Sequence, residues 1–251
     1  MRFFAVWAML AAGLAATCCE AAARSEFLLL RLDGAYVKWG GPRLGTPARV
    51  RYAFITKPMQ FPGAINCTSM LPIDTLLNTS RIDHESFRQE TAAAFGLWQA
   101  VADVRFVESR DPASADILIG AEGNPRGFAF TNVDYDRAGA TPASSGAVPV
   151  RRIQKSLICL NPAKFWKVGF DGNLDVYDIR YAMAHEVGHA IGLDHPSPSG
   201  ELMSFRYSED FRTLQPGDVA GAVTLYGRPG AAIAESSTKP SAAAPSDMAL
   251  H

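Results

Sequence analysis

Eleven residues, His185 to His195 in the stretch HEVGHAIGLDH, constrain this chain more than any other segment. His185 and His189 are four apart, so on a helix they project from one face, a turn from each other. Two imidazoles so placed can grip one metal ion, and Glu186 follows the first of them where its carboxylate can reach a water on that ion. His195 cannot join them if the helix continues. It would lie about 9 Å along the axis from His189 at about 1.5 Å per residue, whereas Zn–N bonds are about 2.0–2.1 Å. The chain must stop and turn back, and Gly192 stands where a helix-ending glycine would do this. Three protein ligands leave a fourth position for water, the pattern of catalytic rather than structural zinc. A bare pair of histidines at this spacing also arises as helix-surface polarity, with Glu186 an ordinary surface carboxylate. The added Gly and His make that reading poor, because Gly is only about 7% of residues and His is rarer.

The rest of the composition sets the frame. A chain of 251 residues, 48% hydrophobic and 20% charged, suits one domain with a substantial core plus its ends. With 24 Lys+Arg against 25 Asp+Glu and no long basic run, a nucleic-acid partner is not expected. Arg2 precedes an apolar run from Phe3 to Ala16, and Ala21-Ala22-Ala23 follows, the layout of a secretory signal over residues 1–23. An uncleaved anchor is the alternative, but spanning a bilayer takes about 20 apolar residues; lipid modification of Cys18 or Cys19 is a lesser one. The mature protein is expected to be exported, not membrane-spanning, and monomeric. Cleavage would leave Cys67 and Cys159, which either form a bridge worth on the order of 4 kcal/mol in the chain-entropy model or remain two separate buried thiols. From residue 228 to 251 the chain is Ala/Ser/Pro-rich without periodicity and reads as a flexible tail.

Between these ends the pattern alternates. Residues 49–55 (RVRYAFI), 104–107, 116–119, 126–131 (RGFAFT) and 156–160 (SLICL) read as strands. A helix is expected from Asp83, as N-cap, to about Ala102, with Phe87, Ala94, Trp98 and Val101 on one stripe. A second should begin near Asp175 with Asp178 in its first turn, and a third should run from Thr213 to Tyr226 with Gly227 closing it. This order suggests an α/β or α+β domain.

The motif, followed by a methionine at Met203, resembles the metzincin clan of zinc endopeptidases. Lys38-Trp39, RVRYAF, AFGLWQAVADVRFVE, ADILIG and LQPGDVAGAVTLYG are similar to successive segments of its matrixin branch, over roughly residues 35 to 227. The resemblance implies an α+β zincin-like fold. Its parts would be a twisted five-stranded, mostly parallel sheet, three helices, and a small lower subdomain after His195, with residues 24–34 as a short preceding segment. It implies one catalytic Zn2+ held by His185, His189 and His195, Glu186 as general base, and Met203 packed beneath the ligands. Phe205 and Tyr207 would belong to the wall of the main substrate pocket. Tyr181, one turn before His185, would either set that pocket's depth or simply pack against the sheet. Pro196 after the third histidine is similar to serralysins, but Phe205 stands where their zinc-binding Tyr would be. A second, structural zinc is not expected: only His84 and His251 remain, and the family's strand histidine is replaced near Phe128. Ca2+ is a further candidate at Asp134/Asp136 or Asp171/Asn173/Asp175, unless these are solvated loop carboxylates. The implied activity is hydrolysis of protein or peptide substrates. The alternatives are a secreted zinc-containing binding module without turnover, or a peptidase directed at cell-wall peptides.

Overall fold

The computed structural model describes residues 27–138 and 148–230. The expected signal segment, the tail beyond residue 230 and the Gly/Pro/Ser-rich stretch 139–147 lie outside the described residues. In chain order the strands before the first helix are β1 (Leu28–Leu29), β2 (Arg31–Leu32), β3 (Ala35–Lys38), β4 (Ala48–Phe54), β5 (Met59–Gln60) and β6 (Ser69–Leu71). Helices α1 (Asp74–Ser80) and α2 (His84–Val101) follow, then β7 (Val104–Glu108), β8 (Ile117–Glu122), β9 (Ala129–Tyr135) and β10 (Val150–Leu160). The described residues end with β11 (Trp166–Lys167), β12 (Tyr177–Asp178), α3 (Ile179–Ile191), β13 (Leu193–Asp194) and α4 (Pro216–Tyr226).

The main sheet is built on β7-β4-β8-β10, all parallel, with β9 antiparallel on the outer edge of β10. That is the mixed, mostly parallel α+β arrangement expected. The start of β10 also pairs in parallel with β3, and the short β6 pairs with the end of β8. Helices α2 and α3 cover one face. Trp98, Phe87 and Phe95 of α2 are buried there, each worth about 2–3 kcal/mol relative to exposure. The opposite face is closed by the β5–β6 hairpin, packed over Ile55, Met70, Leu118, Leu157 and the Cys67–Cys159 pair. Those two cysteines form a disulfide, with Cα atoms 5.9 Å apart.

Several expectations need correction. Among the described residues there are four α-helices rather than three: α1 has no side-chain cap and is formed by burial of Leu76 and Leu77, which local sequence does not announce. The active-site helix starts at Ile179, not near Asp175, because Asp178 is its N-cap, accepting from Tyr181 N at 2.9 Å. Helix α4 starts at Pro216 rather than Thr213, since the residue before a proline is kept out of helical geometry. Residues before position 35 also join the sheets, β1 pairing with β13 and β2 with β3. Asp83 does cap α2, accepting from Ser86 N at 2.8 Å.

Candidate metal centre

Helix α3 carries the two helical histidines, and its fit against the rest of the molecule is set by glycines. Gly192 ends it with φ 108°, and a Cβ there would stand 2.1 Å from Val37 O. Only glycine satisfies both demands. The reversal lets Leu193–Asp194 pair with Leu28–Leu29 and returns His195 to the helix. Gly188, inside the motif, is constrained by side chains rather than by its backbone: a Cβ would lie 2.1 Å from Met203 Sδ and 2.9 Å from Trp98 Cζ2. Met203 is thus packed directly against the helix at Gly188 and is buried.

The three Nε2 atoms converge. His185 to His195 and His189 to His195 are both 3.0 Å, and His185 to His189 is 3.2 Å. Two donors of a tetrahedral ion with Zn–N bonds of 2.0–2.1 Å would be about 3.3 Å apart. His185 Nδ1 lies 2.8 Å from Leu202 O, and His189 Nδ1 lies 2.9 Å from Leu193 O. Each carbonyl can only accept, so each Nδ1 carries the proton and each facing Nε2 is a bare lone pair. Lone pairs aimed at one another leave the cluster short of a cation, and three imidazoles suit zinc. Burial, reinforced by the neighbouring imidazoles, pushes His185 well below the usual histidine range and His189 down to about 4, and burial lowers His195 too. The neutral form that ligates metal is therefore favoured.

The turn that supplies Leu202 O is itself held. Asp218, buried on α4, accepts from Leu202 N at 2.9 Å and Met203 N at 3.0 Å. From α2, Trp98 Nε1 donates to Ala184 O, and just after β3, Trp39 Nε1 donates to Ala190 O. These residues fix α3 without touching the ligand atoms.

Glu186 is buried beside the triad. Burial pushes its carboxyl up to about 7, with a hydrogen bond from Thr131 opposing the shift. Thr131, on β9, donates to Glu186 Oε2 at 2.7 Å. Sequence reading missed Thr131, Gly188 and Asp218. A strand hydroxyl, a motif filler and a first-turn carboxylate give no sign alone of what they will face.

The triad and Glu186 form the floor of an open cleft whose walls include Leu30, Leu32, Ile65, Phe128, Phe130 and Phe205. Among the described residues β9 pairs with β10 alone, so its other edge borders this cleft. Of the three residues expected around the main pocket, only Phe205 lines the cleft, half exposed. Tyr181 is buried against Phe170, Tyr207 and Phe211, residues of loops rather than of the sheet. Tyr207 stands behind with it, its hydroxyl accepting from Asp178 N at 3.0 Å and donating to Glu209 Oε1 at 2.8 Å.

The acidic groups weighed for Ca2+ do not assemble a metal cluster among the described residues. Asp171 is ion-paired to Lys167, whose ammonium also pairs with Glu209 and donates to Asn173 O at 2.8 Å. A cation's place is taken by a side chain. Asp134 and Asp136 accept from Tyr135 N and Ala138 N. His84 is exposed beside Asp74, 3.2 Å away, and His251 lies outside the described residues.

Comparison with known proteins agrees with this geometry. The matrixin family model matches residues 71–227. Metalloendoproteinase 4-MMP of Arabidopsis thaliana is 27% identical over 182 residues, covering 68% of this chain and 51% of that protein. Stromelysin-3 of Rattus norvegicus is 31% identical over 149 residues, 58% of this chain and 28% of its own length. Matrix metalloproteinase-19 of Homo sapiens is 31% identical over 152 residues, 59% and 28% respectively. The chain thus spans about half the length of the first of these relatives and less than a third of the other two.

Proposed function

The chain belongs to the matrixin family, and from that premise we propose that it is an exported zinc endopeptidase that hydrolyses peptide bonds in protein or peptide substrates. The observation that carries the reading is the convergence of three imidazole Nε2 atoms beside a buried carboxylate on the floor of an open cleft. A zinc ion held by His185, His189 and His195 would supply a Lewis acid for the scissile carbonyl and an acidified water.

The chain's own groups account for the remaining work. Thr131 occupies Glu186 Oε2, which leaves Oε1 as the oxygen that takes a proton from the attacking water and returns it to the departing amine. A carboxyl with its affinity for protons raised to about 7 is suited to both halves of that transfer. The outer edge of β9 offers main-chain donors and acceptors to an extended peptide. Leu30, Leu32, Phe130 and Phe205 present apolar surface to its side chains and favour apolar residues near the cut. Export is supported by the Cys67–Cys159 disulfide, a bond that persists in oxidising compartments, and by the signal-like pattern of residues 1–23. No helix among the described residues is long and apolar enough to cross a membrane.

Glu186→Ala tests the mechanism. Zinc content, measured by metal analysis of the purified protein, should remain near that of the unaltered chain. Casein and peptide hydrolysis should fall about a thousandfold, within the range that a positioned acid–base group contributes. Hydrolysis persisting at the original rate would overturn the assignment.

A further inference from the structure

We infer that Thr131 is the positioning residue for Glu186, holding one carboxylate oxygen so that the other faces the metal centre, and so linking the edge strand to the general base. The inference rests on the peptidase reading for its functional meaning, but its geometry stands independently.

Thr131 sits in the middle of β9, opposite Ile158 of β10. Strand alternation sends Phe130 to the outer face, where it packs near the disulfide, and turns Thr131 toward α3. Its hydroxyl is 2.7 Å from Glu186 Oε2 and 3.0 Å from Glu186 O. A hydroxyl has a single proton, and the shorter of the two contacts is to the side chain, so the proton goes to Oε2. Glu186 is only 3% exposed, and no other protein donor to its carboxylate stands among the hydrogen bonds of the described residues. Unheld, the carboxylate could turn either oxygen, or neither, toward the ligand position. A β-branched side chain on a paired strand is stiff about χ1, so the donor itself is fixed. Because the same residue's main chain lies on the strand bordering the cleft, a peptide pairing with β9 would meet the residue that holds the base.

The test needs a signal that does not depend on turnover. Acetohydroxamic acid chelates zinc and passes its proton toward an adjacent carboxylate, so its affinity reads the placement of Glu186. Its binding to the zinc-loaded protein is measured by calorimetry for the unaltered chain, Thr131→Val, Glu186→Ala and the double variant. Thr131→Val should weaken binding about tenfold, the scale of one hydrogen bond to a charged group. In the Glu186→Ala background the same change should have no effect, because Thr131 acts only through that side chain. Thr131→Ser, which keeps the hydroxyl, should bind within about twofold of the unaltered protein. On a peptide substrate Thr131→Val should lower kcat about tenfold with KM little changed, and Thr131→Ser should restore most of it. Equal weakening in both backgrounds, or none in either, would overturn the role assigned to Thr131. An unaltered, zinc-loaded protein that cleaves no peptide would defeat the peptidase reading instead, and the hydroxamate cycle would still decide the role of Thr131.

Discussion

Two polar clusters flank helix α3, and they are built on opposite principles. At its N-terminus, Asp178 is fully buried, yet Arg212 reaches it at 2.7 Å, and Glu90 is shared between Arg180 and Arg212, also at 2.7 Å. Two acids and two guanidiniums cancel within the protein, and the result pins the segment after Met203 to α2 and α3. In the second half of the helix the opposite holds. His185, His189 and His195 turn their Nε2 atoms toward one another, and those of His185 and His189 are bare lone pairs because each Nδ1 proton goes to a carbonyl. The first cluster is complete in itself and is structural. The second is complete only with a cation, and that asymmetry marks it as the functional one.

The contrast predicts where each cluster will fail. Removing a metal ligand should have the largest effect. His195→Ala is expected to weaken zinc binding by more than about a hundredfold, beyond the range seen for outer supporting groups, as measured by competition with a chromogenic chelator. The fold should survive, because the altered group lies beside the cleft. Arg212→Ala should do the reverse. It strips a partner from Asp178 and Glu90 and should cost about 2 kcal/mol of unfolding free energy in urea. This is less than the full penalty for a broken buried pair because Arg180 still serves Glu90. Zinc affinity should be nearly unchanged; a loss comparable to that of His195→Ala would show that the two clusters are not separable. Smaller still is Gly188→Ala, which forces Met203 and Trp98 away from the helix. It should cost about 1 to 2 kcal/mol and weaken zinc binding slightly, since the packing beneath the ligands shifts. An unfolding curve overlying that of the unaltered protein would mean that Met203 does not support the helix.

The same contrast explains what could be read in advance. The functional cluster was legible because its chemistry is local: His185, Glu186, His189, Gly192 and His195 fall within one short motif whose spacing dictates a helix, a break and a return. Asp83 as a cap and the buried stripe of α2 were legible for the same reason. The self-cancelling cluster was not, because Glu90, Asp178, Arg180 and Arg212 are distant in sequence and look like ordinary charges until α2 packs on α3. Helix α1 escaped notice because tertiary burial of Leu76 and Leu77, rather than a capping signal, forms it. Tyr181 shows the limit of periodicity. Spacing places it on the face of His185, but cannot reveal that Phe170, Tyr207 and Phe211 fill the space around it. Thr131 shows the same limit for strands: alternation gives two faces without saying which one meets Glu186.

The most direct test of the account is a zinc titration followed by turnover. The mature protein is stripped with a chelator, dialysed, and assayed on a peptide library while zinc is added back. Hydrolysis should be absent at the start and rise linearly to a plateau at one zinc per chain, matching the one such triad among the described residues, His185, His189 and His195. Full activity in the stripped protein, or a plateau reached without any zinc bound, would contradict it.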